Sequence, residues 1–504
     1  MTISTASAAA INEEKKEQIL IFPFMAHGHT IPLLYLAAEL STRNLQVTVI
    51  TTQGNATSLR RQLPSSVHLT LFPFPQSPLL PTGVESTDLL PSLDLHSAFV
   101  AATTLLRPNF HHLLLDLHSR NSLPLCVISD FFLPWTLDVC CLFSVPRIVF
   151  HGMSAFSMYL CKAICLHQPQ NLAGVISEEE PFTVPGAPLD FRVTLSDVPK
   201  DLHDLSDSPD PAMQFIIEAS CSDVNSWGVI VNSFAELDGR WHKPLESMYV
   251  AGARSWLVGP LSLHSEASLP CINGGDECLR WLNGKPKGSV VYVSFGTQAH
   301  VEREQLEEVA YGLEMAGWDY LWVVRDVSFR PPEAAGKKGK IVAWASQSAV
   351  LQHEAVGGFV SHCGWNSALE SIAAGKPLLA WPMIAEQRLN AKFLAEELRV
   401  GMRIGNAAGE NHGVVSREVV EKGVREMMAD GEMRNKAEMF GRMARNAVRD
   451  GGSSRQTLTE LIEELRGVQA RKDIGAGNGP GEMKQEKVLV QDGVARWGED
   501  CLIS

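Results

Sequence analysis

The stretch Gln18-Ile19-Leu20-Ile21-Phe22-Pro23-Phe24 begins the pattern from which the fold can be predicted. It is a short, continuous apolar run, which is typical of a strand buried on both faces of a parallel sheet. A glycine-containing turn at Met25–His29 follows it, then a helix-like stretch at Pro32–Ser41 and a second strand at Gln46–Thr51. A strand, a helix and a strand at this spacing predict a right-handed βαβ unit.

The same alternation returns in the second half of the chain. A further strand, Leu125–Ser129, is predicted in the first half. The second half has predicted strands at Val290–Phe295, Tyr320–Arg325, Ile341–Ala343, Gly358–Ser361 and Leu378–Trp381, with helices at Glu302–Ala316, Asn366–Ala374 and Gln387–Leu398. The pattern predicts an α/β fold of two facing Rossmann-like domains, with a cleft between the carboxyl ends of their strands.

Changes in composition along the 504 residues predict the domain boundaries. They indicate a disordered N-terminus at 1–17, an N-terminal domain at 18–255, a linker at 256–285 and a C-terminal domain at 286–450. A helix at 451–466 can return to the N-terminal domain, and the glycine-rich stretch 467–504 is predicted to be a mobile tail.

Composition also excludes some classes of protein. The formal net charge of −14 disfavours nucleic acid as a partner. No clean apolar run reaches the about 18 residues of a membrane span, and the N-terminus lacks the order of a signal peptide. The ten cysteines are scattered without paired Cys-x-x-Cys motifs, as expected for reduced thiols. We therefore expect a cytoplasmic protein, without stable membrane insertion and monomeric.

The densest group of polar and aromatic residues lies between Trp344 and Gln387. There the predicted strand Gly358–Ser361 leads through a tight turn at Gly364 into the helix Asn366–Ala374. The free N–H groups and the positive dipole end at the start of a helix form a site for an anion.

Side chains around this turn extend the predicted anion site into a nucleotide site. His362, Asn366 and Ser367 add hydrogen-bond donors. Glu370 lies one helical turn beyond Asn366 and could bind a ribose diol, and Trp344 offers a flat face for a base. Taken singly, Trp344 or Trp365 could be a core aromatic and Glu370 a solvated residue, so the joint spacing is what favours a site.

A candidate general base lies in the N-terminal half. His29 follows Gly28 at the carboxyl end of the first strand, and Asp130 ends another strand. An imidazole can take a proton from an acceptor hydroxyl while a carboxylate behind it stabilises the imidazolium. His27 is a rival for this role, and Asp130 could instead be a simple strand-end cap.

Several segments resemble the signature of plant UDP-dependent glycosyltransferases. They are Trp344-Ala345-Ser346-Gln347, His362-Cys363-Gly364-Trp365-Asn366-Ser367 and Glu386-Gln387, with supporting matches at Val231–Leu237, Val258–Leu261 and Ser294–Thr297. The resemblance runs from about Gln18 to about Arg466 and implies the GT-B arrangement of two Rossmann-like domains. Three features depart from it: the segment between Arg325 and Ile341 is short, the tail beyond Arg466 is longer than usual, and Ser346 stands where proline is common.

The resemblance implies a role for each matching residue. At the uracil and ribose it places Trp344, Ala345, Gln347 and Glu370; at the diphosphate, Thr297, His362, Asn366 and Ser367; at the sugar, Trp365, Glu386 and Gln387. Gln387 at the end of the signature favours UDP-glucose, since histidine there is associated with galactose. His29 is implied as the base and Asp130 as its partner.

The resemblance therefore implies an inverting enzyme that moves glucose from UDP-glucose to a hydroxyl of a small apolar acceptor, such as a phenolic, flavonoid or terpenoid. The acceptor would lie in the N-terminal domain, against the loops Pro73–Pro91, Phe131–Trp135, His151–Phe156 and Val184–Pro188, and the donor in the C-terminal domain. The sequence has no Asp-x-Asp pair, so no metal is expected. Three alternatives are an epimerase, a transferase of lipid-linked sugars and a nucleotide-sugar-binding protein without chemistry, although the last should lack His29 and Asp130.

Overall fold

The computed structural model describes residues 16–172, 174–175, 177–188, 191–203, 210–264, 275–297, 301–404 and 413–476. Nearly all of the predicted N-terminal segment 1–17 and much of the predicted tail lie outside these residues. The strands are β1 Gln18–Phe22, β2 Gln46–Thr52, β3 Val67–Phe72, β4 Cys126–Asp130, β5 Arg147–His151, β6 Pro181–Phe182, β7 Val193–Thr194, β8 Gly228–Val231, β9 Arg254–Leu257, β10 Val290–Ser294, β11 Asp319–Val323, β12 Gly339–Val342, β13 Val356–Ser361, β14 Leu378–Ala380 and β15 Gly401–Arg403.

Helices connect most of these strands. They are α1 His27–Ser41, α2 Gln53–Gln62, α3 His96–Thr104, α4 Arg107–Ser119, α5 Thr136–Leu142, α6 Ala155–His167, α7 Pro169–Leu172, α8 Pro211–Val224, α9 Ala235–Asp238, α10 His242–Glu246, α11 Gly275–Asn283, α12 Arg303–Ala316, α13 Gln347–Gln352, α14 Trp365–Ala374, α15 Gln387–Lys392, α16 Arg417–Ala429, α17 Gly431–Ala447 and α18 Ser453–Ala476. Short 3₁₀ turns lie at Thr87–Leu89, Leu93–Leu95, Leu195–Asp197, Lys200–Leu202, Gly239–Trp241 and Leu261–Leu263.

The N-terminal sheet confirms the predicted parallel topology. Its seven strands run in the order β3-β2-β1-β4-β5-β8-β9, and each neighbouring pair is parallel. The order reverses direction between β1 and β4, where Phe22 pairs with Ser129. Ligands of such sheets bind beyond the carboxyl ends of the strands at this switch point. The residues that follow β1 and end β4 therefore share one edge.

The C-terminal sheet repeats this plan with six parallel strands in the order β12-β11-β10-β13-β14-β15. Its switch point lies between β10 and β13, where Ser294 pairs with Ser361. The turns after these two strands carry the predicted phosphate-binding residues. The two sheets confirm the predicted α/β fold with two Rossmann-like units.

Strand β1 shows why a continuous apolar run forms a central strand. Ile19 and Ile21 pack into one hydrophobic cluster, while Leu20 and Phe22 pack into another on the opposite face. Side chains alternate across a strand, so a strand covered on both faces must be apolar at every position.

Helix α18 lies against the N-terminal sheet, although it follows the C-terminal domain in sequence. Its side chains Leu458, Leu461, Ile462 and Leu465 belong to the same buried cluster as Ile19. The helix continues to Ala476, so the prediction that it ends at 466 and that the mobile tail begins at 467 is wrong for residues 467–476. Residues 477–504 lie outside the described part.

Two other helices also differ from the prediction. Helix α1 begins at His27, so Pro32 lies inside it rather than at its start. The predicted helix Gln387–Leu398 divides into α15 and a π-helical turn, Phe393–Glu397. Such turns are often found near functional sites. Among the described residues, no helix combines the length and the hydropathy needed to cross a membrane.

Leu461→Ala should lower the free energy of unfolding by about 3 kcal/mol, because it leaves a cavity between α18 and the N-terminal sheet. Urea unfolding of the full chain measures this loss. Glu463→Ala is the matched control, since Glu463 is exposed on the same helix. Equal stability of the two variants would show that α18 contributes little to the N-terminal core.

Candidate active site

His29 and Asp130 meet at the carboxyl edge of the N-terminal sheet. The His29 Nδ1 atom lies 2.9 Å from Asp130 Oδ2. The side chain of Asp130 is fully buried, and that of His29 is 24% exposed. Asp130 Oδ1 accepts a second hydrogen bond, from the N–H of Phe132 at 3.0 Å. The carboxylate therefore holds Nδ1 of the imidazole and leaves Nε2 for another partner.

The electrostatics of this pair suit a base. Burial by itself lowers the pKa of His29, but the opposing contributions, led by the charge and the hydrogen bond of Asp130, together leave the pKa above its ordinary value. The buried carboxylate stabilises the protonated ring. Glu386 and Asp88 raise the pKa of His29 further through their charges.

Arg147 holds the main chain at Asp130 in place, a role that was not predicted from the sequence. Its guanidinium is buried and donates to the Asp130 carbonyl oxygen at 3.1 Å, to Ser129 Oγ at 2.8 Å and to Ser226 Oγ at 2.6 Å. These bonds fix the end of β4. An isolated arginine in a strand carries no sequence signal for such a role.

The rival histidine has a different partner. His27 Nδ1 lies 3.1 Å from Asp88 Oδ1, and the His27 N–H donates to Asp88 Oδ2 at 3.1 Å. The His27 side chain is 52% exposed. These contacts tie the start of α1 to the loop before α3, while His29 alone of the two contacts Asp130.

The turn after β13, which was predicted from the sequence to bind phosphate, is strained and tightly packed. Cys363 has φ +63°, a left-handed conformation that is unfavourable for a residue with a side chain. A Cβ atom on Gly296 or Gly364 would approach His362 Nε2 to 2.7 or 2.6 Å, so both positions need glycine. Burial lowers the pKa of His362 to about 4, which keeps the ring neutral near pH 7.

Helix α14 starts directly after this turn, and no described side chain caps it. Asn366 in its first turn donates to the Gly28 carbonyl of the N-terminal domain at 2.6 Å. Pro32 explains why that carbonyl is available: it lies four residues beyond Gly28 in α1 and has no N–H to donate. Asn232 donates to Asn366 Oδ1 at 3.2 Å. The starts of α1 and α14 thus meet across the cleft.

Gln347 and Glu370, which were predicted to bind the ribose, lie together with Ser367, which was predicted to bind the diphosphate. The Gln347 amide donates to Ser367 Oγ at 2.8 Å and to Glu370 Oε2 at 2.9 Å. Burial raises the pKa of Glu370 to about 7, against a partial lowering by the Gln347 hydrogen bond. The raised pKa indicates that the Glu370 carboxylate has few hydrogen-bond donors around it, so it can accept hydrogen bonds from hydroxyl groups.

Glu386 and Gln387 lie at the start of α15. Gln387 Oε1 accepts from the N–H groups of Met383 at 2.9 Å and Ile384 at 3.0 Å, which directs its amide group. Burial raises the pKa of Glu386, while hydrogen bonds from its own backbone and from Asn390 and the charge of His29 lower it. The interaction between Glu386 and His29 places the predicted sugar contact near the predicted base.

The remaining residues that were predicted to bind the sugar donor differ in their exposure. Trp344 is 47% exposed and Ala345 is buried beside it. Thr297 is exposed, and its carbonyl accepts a hydrogen bond from Arg325. Trp365 is 1% exposed, and its indole N–H donates to the Asn232 carbonyl at 2.8 Å. The Trp365 ring is therefore a core aromatic, so only its main chain can meet the predicted sugar contact.

Aromatic rings form a wall beside His29. Phe132 stacks on Phe24 with ring centroids 5.0 Å apart and on Phe215 at 6.0 Å, and the His29 ring meets Phe132 edge-on at 5.3 Å. His96 also meets Phe132, at 5.9 Å. The wall can pack against a flat apolar molecule whose hydroxyl points to His29.

The described residues include no group of three or more His, Cys, Asp or Glu side chains arranged for a metal. The site thus combines a histidine–carboxylate pair, an uncapped helix start and two half-buried carboxyl groups, Glu370 and Glu386, around one cleft. This combination, on two facing Rossmann-like units, defines a transferase of the GT-B class.

Comparisons with known proteins agree with this class. Residues 273–440 match the family model described as UDP-glucoronosyl and UDP-glucosyl transferase. UDP-glycosyltransferase 73B1 of Arabidopsis thaliana is 36% identical over 501 residues, covering 92% of this chain and 99% of that protein. Scopoletin glucosyltransferase of Nicotiana tabacum is 36% identical over 472 residues, covering 88% and 97%. The chain belongs to the family of UDP-dependent glycosyltransferases.

Solved structures show the same fold. UGT73P12 of Glycyrrhiza uralensis, complexed with glycyrrhetinic acid 3-O-monoglucuronide, superposes with a TM-score of 0.80 at 29% identity, covering 92% of this chain and 98% of that one. UGT2 of Phytolacca americana, complexed with UDP-2fluoro-glucose and pterostilbene, superposes with a TM-score of 0.72 at 29% identity, covering 89% and 100%.

Glu370→Gln should stabilise the ligand-free protein at pH 8. The pKa of Glu370 is raised from 4.5 to about 7 on folding, so the carboxyl destabilises the fold increasingly as the pH rises through that window. We expect a gain on the order of 1–3 kcal/mol at pH 8 that vanishes near pH 4.5. Urea unfolding at both pH values measures it. Exposed Glu354→Gln is the control, and an equal gain there would contradict the burial argument.

Proposed function

We propose that this enzyme transfers glucose from UDP-glucose to a hydroxyl of a small, largely apolar acceptor, with inversion at the anomeric carbon. The observation that carries this proposal is the His29–Asp130 pair, 2.9 Å apart, across the cleft from the start of α14. Asn366 bonds to Gly28, the residue before His29, at 2.6 Å. The base and the leaving-group site are therefore close enough to act on an acceptor and a donor that meet in the cleft.

The donor would lie along the carboxyl edge of the C-terminal sheet. Trp344 would stack on uracil, with Ala345 and Gln347 holding the base and ribose, and Glu370 would accept from the ribose hydroxyls. Thr297, His362, Asn366 and Ser367 would hold the diphosphate, with the free N–H groups of α14. Support comes from the exposed Trp344 ring and from the donor-poor Glu370 carboxyl.

Glucose is the proposed sugar because Gln387 is held in place and Glu386 lies beside it. Gln387 Oε1 is occupied by two main-chain N–H groups, which leaves its NH₂ group to donate to a sugar hydroxyl. Two related proteins agree with this choice by name: the tobacco relative is a scopoletin glucosyltransferase, and the Phytolacca americana structure holds UDP-2fluoro-glucose.

The reaction follows from the positions of these groups. His29 Nε2 takes the proton of the acceptor hydroxyl, and Asp130 stabilises the resulting imidazolium. The acceptor oxygen bonds to the anomeric carbon as the bond to the UDP oxygen breaks on the opposite face. The negative charge that develops on UDP is stabilised by the start of α14 and by neutral donors such as His362. We propose that this step needs no metal.

The acceptor would lie against Phe132 and Phe215, the partly exposed rings of the aromatic wall, with Phe24 buried behind Phe132. A flat phenolic or flavonoid fits such a wall, and related proteins are named for scopoletin and for anthocyanin. Terpenoid acceptors are part of the same proposal, because the wall selects by apolar surface more than by specific hydrogen bonds. The N-terminal domain would thus bind the acceptor, and we propose that the enzyme works as a cytoplasmic monomer.

His29→Ala should lower kcat about 10²–10⁴-fold, because the acceptor hydroxyl loses its base. UDP release from UDP-glucose with a panel of phenolic and terpenoid acceptors measures kcat, and calorimetry with UDP checks that the donor site is intact. His27→Ala is the matched control and should keep kcat within about threefold, since His27 pairs with Asp88. Unchanged turnover in His29→Ala would reject the assigned base, and a wild-type enzyme that binds neither UDP nor UDP-glucose would reject the whole proposal.

Asp130→Asn should move the acid limb of the kcat/KM profile to lower pH and lower its plateau about 10²-fold or more. The charge and hydrogen bond of Asp130 raise the pKa of His29, so their loss lets burial lower that pKa. The plateau falls because the imidazolium loses its carboxylate. Rate measurements from pH 5 to 9 test this sign. A limb that stays in place would mean that another group titrates in the wild-type profile.

A further inference from the structure

Asn390 is a buried amide whose hydrogen bonds join three separate parts of the cleft. It lies in α15 and is 0% exposed. Its NH₂ group donates to the Cys363 carbonyl at 3.0 Å and to Glu386 Oε1 at 3.0 Å. Its Oδ1 atom accepts from Ser157 Oγ at 2.7 Å. The orientation of the amide follows from these partners, because an oxygen placed toward Cys363 O and Glu386 would be repelled by both.

The first two bonds connect the phosphate-binding turn to the sugar-binding carboxyl. Cys363 is the strained residue of that turn, with φ +63°. Glu386 directly precedes α15, and its carboxyl is buried enough for its pKa to be raised. One NH₂ group therefore sets the position of the carboxyl relative to the turn that would hold the diphosphate.

The third bond comes from the other domain. Ser157 belongs to α6, which packs beside the N-terminal sheet, and it is 0% exposed. Next to it, Phe156 stacks on Phe393 of the C-terminal domain with ring centroids 4.6 Å apart. The Asn390 amide is thus held rigidly on the side opposite its two acceptors, and it has little freedom to turn.

We propose that Asn390 is a positioning residue that aims the Glu386 carboxylate at the sugar of the bound donor, in register with the phosphate-binding turn. The proposal rests on the function proposed above, in which Glu386 binds sugar hydroxyls. Asn390 itself touches no substrate. It acts through Glu386, because a buried carboxylate with one fixed donor keeps a single orientation in which its other oxygen is free.

A double-mutant cycle tests whether Asn390 acts through Glu386. Asn390→Ala alone should lower kcat/KM for UDP-glucose at least about tenfold, since one misplaced contact in the transition state has this effect. In the Glu386→Ala background the same change should lower kcat/KM less than about threefold. UDP release with one phenolic acceptor measures all four proteins. A full tenfold loss in both backgrounds would overturn the proposal.

Two further variants keep the test decisive. Asn390→Asp preserves the shape and the acceptor for Ser157 but removes the donor to Glu386, so it should show the same loss of kcat/KM if Asn390→Ala folds poorly. Asn225→Ala is the control: it removes the bond of an exposed amide to a main-chain carbonyl, Cys221 O at 2.8 Å, and should keep kcat/KM within about twofold of wild type.

The outcomes separate the two proposals. If wild-type enzyme transfers no glucose, the proposed function fails. If wild-type enzyme is active and Asn390→Asp matches it in kcat/KM, or the cycle is additive, only the role of Asn390 fails. Non-additivity in the cycle, which a general loss of folded protein would not produce, supports positioning over a purely structural role.

Discussion

The hydrogen bond from Asn366 Nδ2 to the Gly28 carbonyl, 2.6 Å long, joins the two halves of the cleft. It exists because Pro32 cannot donate to that carbonyl within α1. A proline inside a helix usually costs a hydrogen bond, and here the freed acceptor is used by a residue 338 positions away. His29 and Ser367 adjoin the two ends of this bond. The distance between the proposed base, His29, and the proposed diphosphate site at the start of α14 therefore depends on this hydrogen bond.

Around this contact the cleft is built from buried polar groups that are mostly neutral. His362 is uncharged because burial lowers its pKa to about 4, and Glu370 holds its proton more firmly because burial raises its pKa to about 7. An unpaired charge in such surroundings is unfavourable, and Glu370 and Glu386 each have an amide partner, Gln347 and Asn390 respectively. A bound nucleotide sugar would supply the partners that are missing.

Much of the fold and the site could be predicted from local patterns. Apolar runs located the central strands, and the order of strands and helices predicted two Rossmann-like units. The joint spacing of His362, Asn366, Ser367 and Glu370 predicted a phosphate and ribose site, and the structure brings Gln347, Ser367 and Glu370 together. Helix ends were less predictable: Pro32 suggested a helix start that lies five residues too late, and α18 continues through a glycine-containing stretch.

The roles of residues that act through packing were not predicted from the sequence. Arg147, Asn232 and Asn390 have no spacing that distinguishes them from ordinary core or loop residues, although Asn232 lies in the matched segment Val231–Leu237. Trp365 shows the reverse, because its place in the signature suggested a sugar contact while its ring is buried and bonded to Asn232 O. Burial depends on which surfaces of the fold pack together, and this cannot be predicted from the order of residues along the chain.

The sequence alone determined the two parallel sheets and the turn that opens α14, because each follows from periodicity or from neighbours close in the chain. It left His29 and His27 as rival candidates for the base. Only the tertiary structure decided which histidine pairs with Asp130, how Asn366 reaches Gly28 and how Asn390 links the phosphate turn to Glu386. Those contacts join residues from different elements, and their hydrogen bonds form only after the hydrophobic faces of both domains have packed.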